Sequence, residues 1–93
     1  MISVAGERLA VTGALTLANA RALLEAGSAQ LSRPENVFDL SAVQEVDSSG
    51  LTVLFGWVRA ATRQGRKVKI VNPPQNLLSL AELYGVSDLI PLA

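Results

Sequence analysis

Apolar and polar residues alternate in two short runs at the start of the chain, Ile2 to Val4 and Arg8 to Thr12. A period of two is a strand signature. Gly6-Glu7 between the runs supplies a tight turn, so the pattern predicts a hairpin. Gly13 is expected to break the second strand. The period then lengthens: Leu17, Ala20 and Leu24 recur on one helical stripe. This predicts a helix capped by Thr16 and running to about Ala26, ahead of Gly27, or with the pattern carried on to Leu31. Ser32-Arg33-Pro34-Glu35 reads as a loop. Asn36 to Leu40 is a short, mostly apolar strand, the composition of a central strand covered on both faces. Ser41 to Val46 reads as a connection to a helix from about Ser49 to Gln64, ended by Gly65. Arg66 to Val71 is a further strand with Val68 and Ile70 on one face. Asn72 then caps a third helix with Pro73 in its first position. Leu77, Leu80, Ala81 and Tyr84 form its stripe, and Gly85 closes it. Val86 to Leu92 is an apolar tail expected to tuck against the sheet.

The order β-β-α-β-α-β-α predicts an α/β fold in one domain spanning residues 1–93. Its sheet of about four to five strands is mostly parallel, with an antiparallel first strand and crossover helices.

The second helix carries the most unusual pattern. Stepping about 100° per residue from Leu51 groups Leu51, Leu54, Phe55, Val58, Ala61 and Thr62 as the core face. Val53, Gly56, Trp57 and Ala60 fall on the other side, beside Thr52 and Arg63, where a merely soluble helix would carry charges. Two readings follow. Trp57 packs at the edge of the stripe under a neighbouring helix, or it anchors a docking surface whose small residues let another backbone approach. The second is preferred, because tryptophan is enriched at interface hot spots.

Composition narrows the chemistry. Apolar residues make up 49% of the chain and charged residues only 17%, which fits a face covered by a partner. Eight basic and eight acidic residues give zero formal charge, so nucleic acid and an anionic membrane are not the expected partners. The local basic group Arg59, Arg63, Arg66, Lys67 and Lys69 reads as a solvated helix end. With no cysteine and no histidine there are no disulfides, no thiolate metal site, no usual metal ligand and no base for a Ser-His-Asp triad. No run approaches the ~20 apolar residues of a membrane-spanning helix. Glu7 and Arg8 interrupt any signal-peptide pattern. These features predict a cytoplasmic protein without cofactor, metal or direct membrane insertion.

Candidate chemistry concentrates at Asp47-Ser48-Ser49-Gly50. Asp47 and Ser48 are both good caps for the helix that follows, and Gly50 leaves room for a second backbone. In an open α/β sheet this corner lies at the functional edge, beyond the C-terminal ends of the strands. As an active site it would have acids in Asp39, Glu45 and Asp47 and nucleophiles in Ser48 or Ser49. It has no histidine base and no phosphate-binding loop, and its lysines, Lys67 and Lys69, are distant in sequence. A binding role is therefore expected rather than an enzymatic one.

Val43-Gln44-Glu45-Val46-Asp47-Ser48-Ser49-Gly50-Leu51, preceded by Val37-Phe38-Asp39-Leu40-Ser41, resembles the signature of the STAS domain family. Leu9-Ala10-Val11-Thr12-Gly13-Ala14-Leu15-Thr16 is similar to that family's strand leading into its first helix, so the resemblance covers nearly the whole chain. Ala61-Thr62-Arg63-Gln64-Gly65, then Val68, then Leu80-Ala81-Glu82-Leu83-Tyr84-Gly85-Val86 and Leu89-Ile90-Pro91 look most like the MlaB branch. Members of that branch are non-enzymatic cytoplasmic subunits of a phospholipid ABC transporter in Gram-negative bacteria. The resemblance implies docking on an MlaF-like ATPase, with Ser48 at the contact and the first half of the second helix extending it. The alternative branch, the SpoIIAA-type anti-sigma-factor antagonists, implies an anti-sigma factor and a serine kinase as partners. There Ser49 would be phosphorylated, adding up to about two negative charges at a helix start.

Overall fold

The computed structural model describes residues 1–93. Strands β1 (Ile2–Ala5), β2 (Arg8–Leu15), β3 (Glu35–Val46) and β4 (Lys67–Val71) form one sheet in that spatial order. β1 pairs antiparallel with β2 through the Gly6-Glu7 turn, where Gly6 has φ 64°. β2, β3 and β4 are mutually parallel. Helices α1 (Ala20–Ala29) and α2 (Ser48–Arg63) are the crossovers, and α3 (Gln75–Leu83) follows β4. The expected mostly parallel α/β sheet with an antiparallel first strand is what forms.

Both crossovers step the same way across the sheet, from β2 to β3 to β4. Right-handed connections that keep one direction place their helices on one face. The sheet is consequently covered on one side only. Asn36, Phe38 and Leu40 of β3 are buried, as are Val68 and Ile70 of β4, while the alternating Val37, Asp39, Lys69 and Val71 are half-exposed on the open face. This corrects the expectation that β3 is covered on both faces.

Four boundaries also shift. β3 runs on to Val46, because Ala42, Val43 and Val46 keep pairing with β2 across two irregularities in register. β2 likewise passes through Gly13, whose φ of 97° bends the strand without ending it. α1 starts only at Ala20 and passes through Gly27, which is buried within it. Asn72 is not the cap of α3. It adopts a left-handed φ of 53° at the end of β4, its amide donates to Asp39 Oδ1 at 3.1 Å, and Pro74 holds the cap position. The tail does tuck in: Ile70 N–H donates to Pro91 O, and Leu92 bridges Ile70.

The core lies between the sheet and α2. Trp57 is fully buried, its ring stacked on Phe38 with centroids 4.1 Å apart and 6° between planes. Its Nε1–H donates to Leu23 O in α1 at 3.0 Å, so the indole brings no unsatisfied polar atom inside. Two glycines set the α1–α2 distance. A Cβ on Gly27 would overlap the Nε1 edge of the Trp57 ring, and one on Gly56 would overlap Leu24 Cδ1. The expected docking face of α2 is therefore corrected: Val53, Gly56 and Trp57 are buried and Ala60 is half-buried. α2 packs against the sheet on one side and against its neighbour α1 along its flank, so the arc it buries is wider than a single stripe. Of the expected core face, Leu51, Leu54 and Ala61 are buried, Phe55 and Val58 are half-buried and Thr62 is exposed.

Candidate functional site

β3 delivers the chain to Asp47 at the edge where the parallel strands end. Asp47 N–H donates to Leu15 O at 3.0 Å, continuing the β2–β3 pairing by one step. The residue is extended, with φ −120° and ψ −173°, the usual geometry of an N-cap. Oδ1 accepts the Ser49 N–H at 2.8 Å, and Oδ2 accepts the Leu17 N–H at 3.0 Å from the β2–α1 loop. These donors stabilise the ionised form. The Leu17 N–H is the larger cause and the Ser49 N–H adds to it, holding the carboxyl below its ordinary value of 3.8.

The expected site residues separate into two groups. Ser48 is exposed, and Ser49 is half-buried at the first turn of α2. Gly50 is buried, and a Cβ there would stand 3.0 Å from Leu15 O and from Val46 Cγ1. Its missing side chain therefore admits the chain's own β2 end and no outside backbone, which corrects its expected role. Val53, Gly56 and Trp57 point into the core, as described.

What borders the serines is a groove on the other side of α2. Ser48, Ser49, Leu51, Thr52, Phe55 and Arg59 line it from α2, and Tyr84 and Val86 line it from the segment after α3. Tyr84, expected on the buried stripe of α3, is 58% exposed. The sequence pattern placed Phe55 and Tyr84 on core stripes, Arg59 in a solvated basic group and Thr52 beside the Val53–Ala60 face. Thr52 lies one helical turn from Ser48, a spacing that puts both on one face, and that was the available signal.

The lysines do not reach this corner. Lys67 and Lys69 pair with Glu35 and Val37, at the end of the sheet where the parallel strands begin. No group of three or more Asp and Glu side chains is placed to hold a metal ion. A second hydrogen-bonded carboxylate, Asp39, lies on the open sheet face. Asp39 accepts the Ser41 N–H at 3.0 Å and the Asn72 amide, with Arg8 3.5 Å away. The Ser41 N–H chiefly holds its carboxyl low, with Asn72 and Arg8 contributing. No helix is long and apolar enough to cross a membrane.

Comparison with known proteins adds four likenesses. The family described as Mlab, STAS domain matches residues 2–91. Over 53 residues, 57% of this chain, the sequence is 40% identical to the intermembrane phospholipid transport system binding protein MlaB of Haemophilus influenzae, and the match spans 50% of that protein's length. The anti-sigma factor antagonist SpoIIAA in its unphosphorylated form aligns with 100% of this chain and 86% of its own, with a TM-score of 0.73 and 13% identity, a likeness of fold. An anti-sigma factor antagonist from Mycobacterium paratuberculosis aligns with 99% of this chain and 81% of its own, at a TM-score of 0.71 and 26% identity.

Proposed function

The chain belongs to the STAS domain family, and from that membership we propose that it is a non-enzymatic subunit of an MlaFEDB-like phospholipid ABC transporter. It docks on the MlaF-like ATPase, supports that subunit's assembly and activity, and so helps maintain outer-membrane lipid asymmetry. It is cytoplasmic and reaches the inner membrane only through this partner. The 40% identity to an MlaB protein supports the choice of branch. The observation that carries the docking mode is the corner itself. Ser48 stands exposed on a rigid, capped helix start, at the head of a groove that mixes apolar Leu51, Phe55 and Val86 with polar Thr52, Arg59 and Tyr84. Mixed polar and aromatic composition of this kind suits a protein interface. No histidine, cysteine or nearby lysine is available to activate the serines, and a contact role needs none.

The experiment is co-purification of the tagged chain with the ATPase subunit, followed by the subunit's nucleotide turnover with and without it. A stable complex with raised turnover is expected. Co-purification with a kinase or anti-sigma factor and no ATPase would sink this reading.

A second reading is favoured by the likeness to two anti-sigma factor antagonists, together with serine at position 49. In it, a partner kinase phosphorylates Ser49 and the added charge breaks docking on an anti-sigma factor. It predicts one phosphate on Ser49 in cells. Full regulation by a Ser49→Ala chain would remove its basis.

A further inference from the structure

Asp47 has more hydrogen-bonding capacity than a helix cap needs. Oδ1 alone satisfies the Ser49 N–H, a task that asparagine or serine performs about as well. Oδ2 reaches outside the helix to the Leu17 N–H. Only a carboxylate offers both acceptors, because an asparagine would turn its NH2 toward one of the two donors. The loop that Oδ2 holds is pinned elsewhere as well. Asn19 Nδ2 donates to Ala14 O at 3.1 Å, and Asn19 N–H donates to Thr16 O at 3.0 Å. The Leu17 side chain at the centre of this loop is 76% exposed and stands outside the core. The fold therefore fixes, by a charge-assisted hydrogen bond, the backbone of a leucine whose side chain takes no part in the core. Its backbone is tied to the same carboxylate that caps the Ser48–Ser49 turn.

We propose that Leu17 is an apolar anchor of the docking surface and that Asp47 is the positioning residue that presents it beside Ser48. The surface then has an apolar knob on the β2–α1 loop, a hydroxyl at Ser48, and the groove beyond. The occupant is the ATPase subunit already inferred to dock at the serine corner, and this proposal rests on that reading. It adds a demand on the partner: an apolar pocket placed next to its contact with Ser48. With its backbone already ordered, Leu17 has only its side-chain rotamers to fix on binding, which is how a single exposed apolar side chain becomes worth a measurable share of affinity.

The test is a double-mutant cycle with Leu17→Ser and Asp47→Asn, titrating each chain against the purified ATPase subunit. Leu17→Ser is expected to weaken binding by about tenfold or more while its melting temperature matches the unaltered chain. Asp47→Asn keeps the helix cap, so it should fold. Its Leu17 amide should exchange with solvent faster, and its binding should fall too. The double variant should bind no more weakly than Leu17→Ser alone, because Asp47 acts through Leu17. Unchanged binding by Leu17→Ser overturns the proposal while leaving the subunit reading intact. So do losses that multiply in the double variant, or undiminished protection of the Leu17 amide in Asp47→Asn. Failure of the unaltered chain to bind the ATPase subunit overturns both.

Discussion

The indole of Trp57 lies flat against the ring of Phe38, 4.1 Å between centroids, with Gly27 of α1 directly over its Nε1 edge. One side chain thus joins the central strand, α2 and α1. Truncation to alanine removes the stack, the Leu23 hydrogen bond and the filling of the seam at once. We predict a loss of about 3–5 kcal/mol for Trp57→Ala, read from urea unfolding. Trp57→Phe, which keeps an aromatic ring against Phe38, should lose clearly less. Partner binding measured on the folded fraction should be unchanged, since Trp57 is buried and the groove is lined by other residues.

Gly27→Ala and Gly56→Ala set helix propensity against packing. Propensity favours alanine by about 1 kcal/mol in a helix interior. The added Cβ meets the Trp57 ring in one case and Leu24 in the other. Overpacking of this kind costs typically about 1–3 kcal/mol. At Gly27 the obstacle is a rigid, stacked indole, so that variant should melt at a lower temperature. At Gly56 it is the end of a flexible leucine that is only half-buried, so the loss should be smaller or absent. A Gly27→Ala chain as stable as the parent would contradict the seam.

Ser48 offers a test in which stability and docking part ways. It is exposed in the first turn of α2, where a negative charge is favoured by the helix dipole by about 0.3–1 kcal/mol. Ser48→Glu should therefore keep or slightly raise the melting temperature while abolishing capture of the ATPase subunit. Ser48→Ala should bind better than Ser48→Glu. If Ser48→Glu binds normally, the corner is not the docking site.

Acid should weaken the fold through Asp39 and Asp47. Both carboxyls are held below 3.8 in the folded chain, so the folded state favours their ionised forms. Their contribution is complete above that value and disappears as pH falls through the lowered folded values. Urea midpoints should stay level with respect to these groups down to about pH 4 and drop below it. The acid limb should be shallower in an Asp39→Asn, Asp47→Asn chain. An acid limb of equal steepness in that chain would show that neither carboxylate contributes.

Cap chemistry made the serine corner legible in the sequence. Asp before two serines and a glycine sets a helix start from local hydrogen bonding alone, and the structure keeps it within a residue. The order of strands and helices was equally readable, because each period persists over several turns or pleats. The outward face of α2 was not. Small residues such as Gly56 and Ala60 fit a visiting backbone and a neighbouring helix equally well, and only the position of α1 decides between them. The far half of β3 was hidden for a different reason. Within Ser41–Val46 only Val43 is buried while Ser41, Ala42, Gln44 and Glu45 are exposed, so the alternation of a half-buried strand is lost and the stretch reads as a loop. Leu17 looked like part of an apolar stripe until the loop conformation placed it outside the core.

The single tryptophan also makes this chain its own optical probe. Sealed between Phe38 and Gly27, its fluorescence reports the integrity of the seam between α1 and α2. Unfolding should shift its emission to longer wavelength. A ligand or partner in the Ser48 groove, on the opposite flank of α2, should leave the emission maximum where it was. Light from Trp57 can therefore be read as a folding signal while docking is followed by another label.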